Sequence, residues 1–241
     1  MNTATSVSAA SYDGAALASE TIASVFGAGL ATTIQLAPAG EALPTQLGGT
    51  KVIVKDALGV ERAAPLFFVS PTQVNYLVPA ETALGLATVT VTSGDGMVSA
   101  GAVPITAVAP GLFTANADGK GVPAAQIQRV RSNGTSSFES LTQYDSVQKR
   151  FVPLPIDLNT PDQLYLILYG TGVRHQQNLS NVSLTIDGVS VPVLYASTQE
   201  DFIGLDQINV QLPRTLSGRG EVNVVLTVEG KVANTARINL K

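Results

Sequence analysis

The stretch Thr72-Gln-Val-Asn-Tyr-Leu-Val-Pro79 returns in the second half of the chain as Asp206-Gln-Ile-Asn-Val-Gln-Leu-Pro213. In the first copy Val74, Tyr76 and Val78 alternate with Gln73, Asn75 and Leu77. In the second Ile208, Val210 and Leu212 alternate with Gln207, Asn209 and Gln211. A period of two sends successive side chains to opposite faces, so each copy predicts a half-buried β-strand. Downstream of each copy the two halves also agree: a short polar stretch with Gly, a Val-rich alternating run, then a Gly turn. Gly85, Val89, Val91 and Gly94 correspond to Gly218, Val224, Leu226 and Gly230. Upstream, Phe26-Gly-Ala-Gly-Leu30 matches Tyr169-Gly-Thr-Gly-Val173. Three blocks in the same order in both halves read as an internal duplication.

Strand signals continue outward from these blocks. Ala87-Thr-Val-Thr-Val-Thr92 alternates strictly, and Val182, Leu184 and Ile186 form one apolar face, as do Val222, Val224, Leu226 and Val228. Asp-Gly at 95–96, 118–119 and 187–188 and Asn-Gly at 133–134 supply residues that tolerate the positive φ of tight turns. Leu184–Val191 therefore predicts a hairpin, and Gln126–Leu141 a second one around Asn133-Gly134. No long segment carries a helical period. Short strands separated by turn signals at intervals of about ten residues predict a sandwich or barrel. The duplication divides the chain into residues 1–109 and 110–241. In the second part the repeat unit begins near Leu164, so residues 110–162 are expected to be a β-rich insert that adds strands to that domain or braces the junction.

Composition narrows the chemistry. The chain has 241 residues, 45% hydrophobic and 13% charged, with a formal net charge of −4. That is enough for a sizeable core in one or two domains, and disorder is excluded. No basic tract suits a phosphate backbone, so nucleic acid is not an expected partner. Before Val108 three basic residues (Lys51, Lys55 and Arg62) face seven acidic ones, and the first fifty residues contain neither Lys nor Arg. A basic region of a secretory signal is thus not legible there, and the signal of an exported protein would have been removed or lie upstream. No apolar run is long enough for a transmembrane helix. The absence of Cys removes disulfides, thiolate metal sites and a Cys nucleophile, and leans towards export.

Ser24-Val-Phe-Gly-Ala-Gly-Leu30, Ser70–Pro79, Val108-Ala-Pro-Gly-Leu-Phe-Thr-Ala-Asn116 and Asp162–Arg174 together resemble the Solibacter-type uncharacterised C-terminal domain, a module of large exported acidobacterial proteins. The resemblance runs from about Val7 to Leu240. Each half is also similar to the IPT/TIG class of immunoglobulin-like domains. The resemblance implies an all-β protein of two tandem IPT/TIG-like sandwiches, an extracellular or cell-surface location, and no established catalytic residues.

Candidate chemistry is sparse. The single histidine, His175, is the only base suited to a triad, and it reads as a solvated loop residue with no nucleophile elbow beside it. The acidic residues lie mostly in turns, and Glu200-Asp201 is the one adjacent acidic pair. Asn116–Gly121 resembles a calcium loop faintly, but Lys120 and Ile127 occupy positions where acidic ligands belong. Gly27-Ala-Gly29 and Gly170-Thr-Gly172 read as turn glycines, not a phosphate cradle. Lys51 and Lys55 alternate away from Val52 and Val54, towards solvent, which disfavours an internal isopeptide. Tyr76, Tyr165, Tyr169 and Tyr195 sit among apolar strand residues and read as core or sandwich-edge tyrosines. Phe138 and Tyr144 lie in a polar part of the insert and are the candidate ligand platform; packing beneath the hairpin is the competing reading. The expectation is a non-catalytic structural, adhesive or assembly module with no catalytic residue, metal or cofactor. A carbohydrate-binding accessory module is the alternative, and a hydrolase a remote one. Partners would be other domains of a parent exported protein, other surface proteins, a polysaccharide, or a second copy joined through edge strands.

Overall fold

The computed structural model describes residues 2–241. The chain divides into two compact units, residues 1–109 and 110–241. The first contains β1 (Asn2–Ser8), β2 (Ile22–Gly27), β3 (Gln35–Leu36), β4 (Gln46–Leu47), β5 (Thr50–Lys55), β6 (Glu61–Ala63), β7 (Leu66–Val69), β8 (Gln73–Leu77), β9 (Gly85–Thr92) and β10 (Val98–Ile105). Hydrogen bonding follows the order β3-β7-β8-β2-β1-β10-β9-β5-β4, with β6 on β5. β1 belongs to both layers: Ala4–Ser8 pair antiparallel with β2, while Asn2 and Thr3 pair parallel with β10. The two layers face each other, because Val25, Val74 and Tyr76 of one share a core with Val52, Val54, Val89 and Val91 of the other. One layer is thus β1-β2-β8-β7 and the other β5-β9-β10, the layout of a constant-type immunoglobulin sandwich. Tyr76 is fully buried and donates its hydroxyl to Ser6 Oγ at 3.0 Å. Burial pushes that hydroxyl's pKa well up.

The second unit contains β11 (Gly111–Leu112), β12 (Ala125–Val130), β13 (Ser136–Ser140), β14 (Thr142–Asp145), β15 (Arg150–Pro153), β16 (Pro155–Ile156), β17 (Gln163–Thr171), β18 (Val182–Ile186), β19 (Val189–Val191), β20 (Val193–Thr198), β21 (Asp206–Gln211), β22 (Gly220–Val228), β23 (Lys231–Val232) and β24 (Ala236–Leu240). One sheet runs β13-β12-β17-β21-β20 with β11 on β17. Another runs β16-β24-β22-β18-β19 with β23 on β22. Leu164, Leu166, Leu168, Ile208 and Val210 of the first and Leu184, Ile186, Val224, Leu226 and Ile238 of the second are buried.

The matched sequence blocks occupy the same register in both units. Val25 faces Val74 and Phe26 faces Gln73, as Leu168 faces Ile208 and Tyr169 faces Gln207. Even the amide pair is repeated: Gln73 Nε2 donates to Asn75 Oδ1 at 2.8 Å, and Gln207 Nε2 to Asn209 Oδ1 at 2.9 Å. The paired glycines have a backbone cause. Gly29 and Gly172 adopt φ of 67° and 77° at the strand exit, where side chains are strained. A Cβ on Gly170 would lie 2.5 Å from the Gly111 carbonyl oxygen, so the incoming strand requires a bare backbone there.

Residues 110–140 add strands to the main sheet of the second unit, one of the two roles expected of this segment. β11 and β12 lie along the same side of β17, pairing with Gly170–Thr171 and Gln163–Leu168, and β12 carries β13 on its other side. The excursion between them is pinned by Asn234, which accepts from Leu112 N at 2.8 Å and donates to the carbonyls of Leu112 and Gly119. Only β14 and β15 form a separate two-stranded sheet. Of the two expected hairpins, β18–β19 turns on Asp187 and Gly188, both at positive φ. The β12–β13 turn has positive φ at Gly134 alone, with Arg131 N bonding to the Thr135 carbonyl, the pattern of a longer loop.

Candidate functional site

Most of the polar groups singled out by sequence are used by turns. Asn116 brackets the Phe151 backbone, donating to its carbonyl and accepting from its N–H at 2.8 Å. Asp118 Oδ1 accepts from Lys120 N and Thr114 Oγ1. Lys51 and Lys55 are exposed, and Lys55 lies 3.4 Å from Glu61. His175 is exposed in the loop after β17.

Sequence reasoning passed over the two buried carboxylates, and both clamp loops. Asp56 accepts from Leu58 N, Val60 N and Ala83 N and from Arg62 Nη1 at 2.6 Å. Burial works to raise its pKa, but Arg62 and the three amides outweigh burial and hold it below the ordinary value. Asp206 accepts from Val173 N at 2.7 Å, Arg174 N at 3.2 Å and Arg174 Nε at 2.8 Å, locking the exit of the Gly170-Thr-Gly172 turn. There burial dominates over Arg174 and the amides, and the carboxyl is pushed up.

The structure separates the two candidate platform residues. Tyr144 lies on the β14–β15 hairpin, its ring edge-on to Phe151 at 5.5 Å. Phe138 lies on β13, in the main sheet, and is 61% exposed. β13 is held to its neighbours on the other face by Arg129, which grips Glu139 with two hydrogen bonds and reaches Asp162 at 3.3 Å. The guanidinium keeps the Glu139 carboxyl below its usual range.

Strand pairing lines up what the linear sequence scatters. Phe138 faces Gln128, Gln128 faces Tyr165, and Tyr165 faces Gln211. Directly paired residues share a face, so this is one row across four strands, alternating ring and amide. The neighbouring row runs Ser140, Gln126, Ile167, Asn209 and Tyr195, and a third joins Tyr169 to Gln207 and Ser197. Tyr165, Tyr169 and Tyr195 are half-buried on this outer face and not in the core. The signal that separates them was available: Tyr165 and Tyr169 are out of phase with Leu164, Leu166 and Leu168.

At the β20 side the face ends in a cleft of about 320 Å³, floored by Tyr195, Gln207 and Asn209 and walled by Thr198, Gln199, Glu200 and Asp201. Gln199 organises that wall, accepting from the N–H groups of Asp201 and Phe202 and donating to Asp201 Oδ2. Tyr195 is held by its hydroxyl, which donates to the Thr198 carbonyl at 2.6 Å. The arrangement places aromatic rings and neutral amides on the outer sheet face, with two carboxylates on the adjoining β20–β21 loop.

No family model matches the chain, and no curated protein matches it. Among solved structures, the chain is similar to a tetra-tandem repeat from the extending region of a large adhesion protein. The identity is 13%, the TM-score is 0.26, and the match covers all of this chain and 74% of that one.

Proposed function

We propose that the chain is a non-catalytic structural or adhesive module of an exported protein, related to the Solibacter-type C-terminal domains that its motifs resemble. One observation carries the reading. Among the described residues, both buried carboxylates, Asp56 and Asp206, are bound to an arginine and to the backbone of a turn. A catalytic acid or base must reach a substrate proton, whereas these side chains brace loops from within. His175, the chain's single histidine, stands on an exposed loop. Among the described residues no helix is long and apolar enough to cross a membrane.

The test has two arms. Beads coated with the chain are expected to attach to polysaccharide films or to one another more than beads coated with an unrelated sandwich. The purified chain is expected to release no product from a panel of esters and glycosides. Turnover that disappears in His175→Ala would overturn the reading.

A further inference from the structure

We propose that the outer face of the β13-β12-β17-β21-β20 sheet binds a neutral, β-linked polysaccharide laid across the strands along the row Phe138, Gln128, Tyr165 and Gln211. The row has the chemistry of such a chain. A pyranose with equatorial hydroxyls presents apolar C–H faces, which suit aromatic rings, and a rim of groups that both donate and accept, which suit primary amides. Here the two kinds of side chain alternate from strand to strand. Adjacent strands lie about 4.8 Å apart, so the row extends roughly 14 Å from Phe138 to Gln211, room for several sugar units. Gln128 and Gln211 are half-buried on this outer face, paired in register with Tyr165.

Charge selects among polysaccharides. The row itself contains no Asp, Glu, Lys or Arg. The cleft floored by Asn209 and Gln207, in the two neighbouring rows of the same face, adds Glu200 and Asp201, two carboxylates that accept from sugar hydroxyls and repel an anionic chain.

The first sandwich is an internal control for what the fold itself demands. At the same register it places Ile22 opposite Leu77 where the second places Tyr165 opposite Gln211. One strand position on, its core pair Ala23 and Tyr76 corresponds to Leu166 and Val210, so both units keep the inward face apolar. The first unit keeps a ring opposite an amide at Phe26 and Gln73, matching Tyr169 and Gln207, but has no counterpart of the Tyr165–Gln211 pair. A stable sandwich therefore does not require that pair, and the full row of Phe138, Gln128, Tyr165 and Gln211 belongs to the second unit.

The inference rests on the non-catalytic reading in one respect: the polysaccharide is held and released intact. The full chain is run in native gels containing hydroxyethyl cellulose, xylan or alginate, and reducing ends are measured in parallel. Retardation by a neutral polymer and not by alginate is expected. Phe138→Ala and Gln211→Ala should each weaken it roughly tenfold, the loss of one well-made contact, while Tyr144→Ala on the separate hairpin leaves it unchanged. Phe138 is exposed, so its variant keeps the fold, and an unchanged melting curve verifies this. Two results overturn the inference: no retardation by either neutral polymer, or retardation that alginate matches or that Phe138→Ala and Gln211→Ala leave intact. Release of reducing ends would instead overturn the non-catalytic reading, independently of binding.

Discussion

Arg174→Met isolates what holds the exit of β17. The wild-type pair is out of water, with the Asp206 side chain fully buried and the Arg174 side chain 10% exposed. Met replaces the aliphatic stem but leaves the carboxylate with only the amides of Val173 and residue 174. Removing one partner of a buried pair costs about 3–5 kcal/mol, chiefly because the other charge stays buried. For a unit of this size that is a fall in melting temperature of roughly 6–20 °C. The sign of the pH dependence identifies the cause. Asp206 already has a raised pKa in the folded state, and losing Arg174 raises it further. A group with a raised folded pKa contributes stability below its unfolded value and loses it as pH rises through the folded value. The deficit of Arg174→Met is therefore largest at neutral pH and shrinks in acid as the carboxyl becomes neutral. Adding Asp206→Asn removes the stranded charge and recovers much of the loss. Calorimetry of both variants at neutral and acidic pH reads this directly. A deficit under about 1 kcal/mol, or one of constant size across pH, would refute the assignment of a buried ionic clamp.

The first sandwich should respond to acid with the opposite sign. Asp56 has a lowered pKa, so its contribution is present above the ordinary value of 3.8 and is lost as pH falls through the folded value; urea midpoints of Asp56→Asn should accordingly lack the wild type's acid-induced decline from this group. Gly170→Ala pushes a Cβ to 2.5 Å from the Gly111 carbonyl, and the shift it forces should cost about 1–3 kcal/mol in denaturant titration. An unchanged midpoint would mean that β11 does not lie against β17. Val224→Asp places an unpaired charge at a fully buried site and should unfold the second sandwich, seen as lost amide dispersion for residues 110–241. A spectrum like the parent's would refute the inward assignment of β22.

How much of this was legible in the sequence depends on where the information is stored. The inward faces of β9, β21 and β22 were readable because their alternation is local: Val89 and Val91, Ile208 and Val210, and Val224 and Leu226 are all buried as the period requires. The exact pairing of β11 and β12 along β17 was not legible, because the two strands are separated by an excursion without alternation that Asn234, far along the chain, holds. The ring-and-amide row was hidden for a similar reason. Phe138 meets Gln128 through a short hairpin, but Tyr165 and Gln211 join them only when distant strands pair. Periodicity gives the face on which each residue lies, and only pairing gives its neighbour on the next strand. The Asp206 clamp was concealed because nothing in its local sequence marks the aspartate as buried, and its partner lies on another strand's exit.

The most direct test of the functional account is a titration of the isotope-labelled full chain with a neutral β-linked hexasaccharide, monitored by amide chemical shifts. The account predicts perturbations concentrated on β12, β13, β17 and β21 around Gln128, Phe138, Tyr165 and Gln211, extending towards Asn209. Shifts centred on His175 or on the Tyr144–Phe151 hairpin, or no shifts at saturating sugar, would contradict it.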